Sequence, residues 1–200
     1  MKMVVSVDDV LTRLGMKEVE DVADSIESGL KSAHLRYQSM LNTIFDRATG
    51  IEDTFYLDSE WFPTQLKGYA RLKLGRRFVD ASTIQVVSWE NGQPDVITTL
   101  AADKWKIDAS KGVLYVVEDY MDTYIKVTYA AGFDGTNKAP EWLIEAILCY
   151  VPTVLNNQQV TNRNEQVEPL AKQAKLIGDE LVEPYLILPA FCFKPLVHNV

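Results

Sequence analysis

The spacing of apolar residues changes along the chain, and each change marks a different kind of element. Near the N-terminus Ser6 precedes Val7, Asp8 and Asp9, which puts a capping side chain and two carboxylates where a helix dipole favours them. That pattern predicts a short helix over residues 6–15 that stops at Gly15. A longer helix is predicted over residues 19–45, where Val22, Ile26, Leu30, Ala33, Tyr37, Met40, Leu41 and Ile44 recur at every third or fourth position. Asp24, Glu27, Lys31 and Gln38 occupy its other side.

Over residues 54–133 the period becomes two. Phe55 and Leu57, Leu72 and Leu74, Ile84 with Val86 and Val87, residues 96–100, Trp105 and Ile107, residues 113–117 and residues 125–129 all read as strands. Turn pairs separate them, among them Asn91 and Gly92, Lys111 and Gly112, and Glu118 and Asp119. The Asn91–Gly92 pair predicts a hairpin, because both residues tolerate positive φ. Strands this close together leave no room for crossover helices, so an antiparallel sheet or small barrel is expected.

Gly132 ends the last strand, and Pro140 with Glu141 suits the first turn of a helix over residues 140–154. Trp142, Leu143, Ile144, Ala146, Ile147, Leu148, Tyr150 and Val151 make that helix apolar on nearly every side, which predicts burial all round, within the domain or between subunits. A further helix is predicted over residues 167–181. In residues 183–200, Pro184, Pro189 and Pro195 argue against a helix. Tyr185, Leu186, Ile187, Leu188, Phe191, Phe193, Leu196 and Val197 are too many apolar side chains for a solvated tail, so an extended arm that docks on a partner is expected. The predicted class is α+β: N-terminal helices, an antiparallel β-sheet or small barrel in the middle, C-terminal helices and an extended C-terminal arm. One domain of residues 1–182 would carry an arm of residues 183–200.

Composition narrows the function. With 47% hydrophobic and 24% charged residues among 200, the chain has the means to build a core. Its formal net charge of -8 argues against a free-standing nucleic-acid binder. It is compatible with a protein that borders DNA, since an acidic lumen lets phosphates slide. The two cysteines, Cys149 and Cys192, form no CxxC pair, so neither a disulfide framework nor a zinc site is expected. The opening apolar run is too short for a signal peptide. The window over residues 146–155 is interrupted by Pro152 and Thr153 and falls short of a bilayer span. Synthesis in the cytoplasm without export, and no membrane partner, are the expectations.

Candidate chemistry is sparse. His34 is expected to be a partly exposed residue of the long helix, and His198 lies near the chain end, so no histidine acid–base pair is indicated. Gly29-Leu30-Lys31-Ser32 lacks the upstream glycine of a phosphate loop and sits on an amphipathic helix. Glu118, Asp119 and Asp122 lack the spacing of a calcium loop and read as a solvated turn. No catalytic residue, cofactor or metal ligand is assigned, and a non-enzyme is expected. The one basic concentration is Lys67, Arg71, Lys73, Arg76 and Arg77. Lys67, Arg71 and Lys73 could share a strand face, with Leu72 and Leu74 on the other. Such a face is either a solvated edge whose charges deter aggregation, or a contact with an acidic neighbouring subunit, with DNA a less favoured partner.

The order of elements resembles the head-to-tail connector, or adaptor, family of tailed bacteriophages. The match runs from Val7-Asp8-Asp9-Val10-Leu11 with Arg13 and Leu14, through Ile26, Ala33 and Phe45, to Arg71-Leu72-Lys73-Leu74, Val79 and Ile84-Gln85-Val86-Val87. Asp108 with Gly112-Val113-Leu114-Tyr115 follows, then Val127-Thr128-Tyr129-Ala130-Ala131-Gly132-Phe133, and after a short loop Pro140, Leu143, Ala146 and Ile147. The similarity covers residues 4–155; residues 156–165 and the arm depart from it. The resemblance implies a ring of about twelve subunits beneath the portal vertex, with a tail or stopper protein below. Packaged DNA would pass through its channel without sequence-specific binding. It places the chain in the virion neck and gives the arm over residues 183–200 a portal-clasping role. It leaves open another neck or tail-completion protein, and, further off, an uncharacterised ligand-binding domain.

Overall fold

Ser6 caps the first helix reciprocally: its hydroxyl accepts from the Asp9 amide at 3.1 Å, and the Asp9 carboxylate accepts from the Ser6 amide at 2.8 Å. This cap begins the computed structural model's helix α1, Val7–Arg13. The structure describes residues 3–13, 20–59, 68–134, 137–158, 167–186 and 192–199. The chain divides into two compact units, one of Met1–Phe45 with Lys138–Ile187 and one of Asp46–Asn137 with Leu188–Val200. The division differs from the expected single domain with a tail, because the β-rich stretch is inserted between helices and the chain end belongs to it.

The first unit is helical. Its long helix α2, Glu20–Leu41, buries Ile26, Leu30, Ala33, Tyr37 and Leu41, the apolar stripe expected from the spacing. It stops four residues before Phe45, where the spacing predicts its end. Asn42 takes a left-handed conformation with φ 48, and the Thr43 amide returns to the Gln38 carbonyl at 3.0 Å. The Gln38 side chain then accepts from the Phe45 amide at 3.0 Å, so Phe45 is buried beyond the helix end. Ile44, expected on the buried stripe, is exposed.

Helix α3, Glu141–Gln158, starts as the proline signal predicts; the Pro140 carbonyl accepts from the Leu143 amide at 3.0 Å. It continues through Pro152 beyond the expected end. Among its described side chains, Leu143, Ala146, Ile147 and Val151 form one fully buried face, while Trp142, Ile144, Leu148 and Tyr150 are half-buried. Burial all round within the domain is therefore corrected, and the half-buried side chains are those left for a contact between subunits. Helix α4, Val167–Leu186, packs on α3 and also outruns its predicted end, with Pro184 inside its last turns. A proline so near a helix end forfeits one backbone bond, and the stack of Tyr185 on Trp142, ring centroids 3.9 Å apart, holds the final turn.

The second unit consists of two antiparallel sheets. Strands β1 (Ala48–Tyr56), β3 (Gln85–Glu90), β4 (Thr98–Thr99), β7 (Thr123–Ala131) and β8 (Val197–Asn199) form a five-stranded sheet in the order β4-β3-β7-β1-β8. Strands β2 (Tyr69–Lys73), β6 (Val113–Val117) and β5 (Trp105–Asp108) form a three-stranded sheet in the order β2-β6-β5. Ile51, Phe55 and Val127 of the larger sheet share one apolar core with Leu72, Leu114 and Val116 of the smaller. The strand expected over residues 96–100 shrinks to Thr98–Thr99. After Gly92, successive turns run from Glu90 to Gln93 and from Gln93 to Val96, and Pro94 supplies no amide for a ladder. Val96 and Ile97 are left exposed.

Candidate functional site

The β-rich unit buries a carboxylate. Along β1, alternation sends Ile51, Asp53 and Phe55 inward, and Leu57 just past the strand continues the pattern. Asp53 Oδ2 accepts from the Gly75 amide at 2.8 Å and from the Tyr129 hydroxyl at 2.7 Å, and that hydroxyl accepts from the Arg76 amide at 3.2 Å. Burial, then the Asp53 charge, hold the Tyr129 phenol well above its ordinary value. Two of the groups it engages are backbone amides of the turn after β2, so the cluster tethers that turn. Gly112 lies against the same turn: with φ 64, any Cβ there would strike the Arg76 carbonyl. A second knot joins Arg47 to Asp80 at 2.6 Å and to Asp134 at 3.5 Å. Hydrogen bonds from Ser82 first, and Arg47 next, keep Asp80 below the usual carboxylate value.

The five expected cations do not share one face. Arg71 and Lys73 project from the outer side of β2, opposite buried Leu72, as alternation requires, and Leu74 beyond the strand is buried too. Arg76 and Arg77 are each only 7% exposed, in the turn that follows. Burial lowers the Arg77 guanidinium's proton affinity, and Asp108 opposes that effect. Placing them on an open basic strand is therefore corrected: the strand ends at Lys73, and the turn folds both side chains inward. Lys67 lies outside the described residues.

Strand pairing supplies what the sequence did not assign. Arg71 pairs with Tyr115, and Tyr115 pairs with Lys106, so the three form a row across β2, β6 and β5 on one sheet face. The Lys106 ammonium sits 4.2 Å from the Tyr69 ring centroid and 5.4 Å from that of Tyr115. Cys192 lies close enough to Arg71 and Lys73 for both to oppose the upward shift that burial gives its thiol. Asp108 shares this face through its pairing with Val113, so the result is an aromatic patch of three cations and one carboxylate, cationic in balance, on a chain of net charge -8. Alternation in β2 could have suggested Tyr69, but Lys106 and Tyr115 join only through a register that sequence spacing does not encode.

The tail takes a course other than the expected arm. Tyr185 and Leu186 are in α4, and Ile187, Leu188 and Phe191 lie outside the described residues. The Phe193 amide donates to the Arg71 carbonyl at 2.8 Å, and the Lys73 amide donates to the Phe193 carbonyl at 2.9 Å. The Leu196 amide donates to the Thr54 carbonyl at 2.6 Å, and Val197 pairs with Thr54 in β8. Open strand edges on β1 and β2 explain this course, because they offer backbone partners to an apolar tail. Only Leu196, at 60% exposure, keeps a large apolar side chain out among the described tail residues whose side chains are placed.

His34, expected to be partly exposed, is fully buried. Its Nδ1 donates to the Leu30 carbonyl and its Nε2 accepts from the Val4 amide, both at 2.7 Å, so it ties the N-terminal segment to α2. The acidic turn does not converge on one point: Glu118 accepts from the Gly68 amide, Asp122 from the Ser59 amide, and Asp119 pairs with Lys104. Helix α4 presents a second exposed patch, in which Leu176 is 61% and Ile177 45% exposed, with Glu180 and Glu183 following on the solvent side. No described helix is long and apolar enough to cross a membrane. No family model and no curated protein matches the chain.

Proposed function

We propose that the chain is a structural component of the neck of a tailed phage, forming a ring that joins the portal vertex to the tail or stopper and lines the DNA channel. One observation carries the reading: residues of the ordered resemblance occupy the positions on which each element depends. Val7 to Leu11 lie in the capped α1, Ile26 and Ala33 on the buried face of α2, and Leu72 and Leu74 under the small sheet. Gly112 is the turn where no Cβ fits, Val127 to Ala131 complete β7, and Leu143, Ala146 and Ile147 form the buried face of α3.

The function of such a part is contact. The buried polar groups described above serve turns and termini, and the distinctive surface groups are a half-exposed cationic sheet face and an exposed apolar–acidic helix face. The net charge of -8 suits a channel wall that lets DNA slide. Immunogold labelling of the phage particles that carry the chain tests the reading. Gold at the head–tail junction is expected; gold on the capsid shell or tail tip overturns it.

A further inference from the structure

We propose that the cationic sheet face of one copy of this chain docks on the exposed α4 face of a second copy. The two surfaces complement each other in both charge and polarity. On the sheet, Lys73 and Lys106 make no ion pair among the described residues, and the Tyr69 and Tyr115 rings flank the Lys106 ammonium. On α4, Glu180 and Glu183 likewise make no ion pair among the described residues. Leu176 and Ile177 stand exposed at 61% and 45%, on the side away from buried Gly178 and Val182.

Large apolar side chains left in water beside uncompensated carboxylates fit a surface of aromatic rings and ammonium groups. From 176 to 183 the helix stripe runs roughly 10 Å at 1.5 Å per residue, and three strands span about the same width at 4.8 Å spacing. An extended polyanion fits less well. Phosphates beyond the patch would meet a chain of net charge -8, whereas two carboxylates on a helix match the charges present.

The two patches are different surfaces of one chain, so the contact is head-to-tail, and repetition gives a closed ring or an open filament according to the rotation. Closure into a ring rests on the neck-component reading above; the contact itself does not.

Sedimentation of the full-length chain over a range of concentrations tests the contact through charge exchange. One variant carries Glu180→Lys with Glu183→Lys, the other Lys73→Glu with Lys106→Glu. Each alone brings like charges together and is expected to weaken association by about tenfold or more. Mixed in equal amounts, the variants restore opposite charges at every contact and are expected to associate as the native chain does. The mixture also reports that both variants are folded. The contact is overturned if the native chain stays monomeric at all concentrations, if either variant associates like the native chain, or if mixing restores nothing. Gold at the neck together with any of those results removes this contact and leaves the neck reading standing.

Discussion

The Tyr129 hydroxyl donates to the Asp53 carboxylate over 2.7 Å in the interior of the β-rich unit. With the Gly75 and Arg76 amides, this contact fixes the turn leaving β2. Tyr129→Phe takes a donor from a buried carboxylate and an acceptor from a backbone amide. A loss of about 1–3 kcal/mol in chemical denaturation is expected. An unchanged midpoint would show that the turn does not depend on the cluster.

Tyr37 is expected to behave in the opposite way. Its hydroxyl is buried with no hydrogen-bond partner among the described residues, beside Gly178 of α4. Tyr37→Phe should therefore raise stability, by about 1 kcal/mol, in the same assay. A loss like that of Tyr129→Phe would mean that the hydroxyl has a partner.

Gly178 is where α4 passes close to that phenol: a Cβ would lie 2.6 Å from the Tyr37 oxygen and 3.0 Å from the Ala146 carbonyl oxygen. Alanine improves helix propensity by about 1 kcal/mol, but the overlap is with a packed neighbour and backbone, so Gly178→Ala is expected to cost about 1–3 kcal/mol net. Combined with Tyr37→Phe the cost should shrink, because part of the overlap is removed. Thermal melts of the two single variants and the double variant measure the coupling.

Both phenols are held above their ordinary value of 10.0, chiefly by burial. A raised value in the folded state means that the contribution is complete below pH 10 and is lost as pH rises beyond it, since the unfolded chain releases those protons first. Asp80 is shifted the other way, below 3.8; its contribution is complete above about pH 4 and is lost as pH falls through the folded value. Asp80→Asn should flatten the acid limb of a stability–pH curve by at most about 1 kcal/mol, as suits a pair near the surface. The Tyr129→Phe and Tyr37→Phe variants should flatten the alkaline limb.

Much of the fold was legible where one local signal sufficed. Ser6 marked the start of α1, Pro140 the start of α3, and the alternation of β6 gave its bounds, Val113–Val117. What was hidden depends on partners distant in sequence. The end of α2 needs the left-handed Asn42 and the Gln38 side chain, and the burial of His34 needs the Val4 amide. The prolines after residue 183 argued for an arm, yet stacking on Trp142 outweighs Pro184, and the β1 edge captures Val197. The candidate patch was half visible for the same reason. Arg71 and Lys73 follow from alternation, but the row with Tyr115 and Lys106 exists only through strand register.

Because the tail lies along the sheets, shortening it should affect stability. Phe193 is half-buried beside β2, and Phe193→Ala should cost about 1–2 kcal/mol. For a chain of this size that is a fall of roughly 2–8 °C in Tm. A melt unaffected by the change would return the tail to the status of a free arm.

Electron microscopy of the purified chain mixed with isolated portal rings tests the proposed assembly at the phage neck. A second ring of about twelve subunits stacked coaxially on the portal is expected. Portal rings that remain bare in a molar excess of the chain would contradict it.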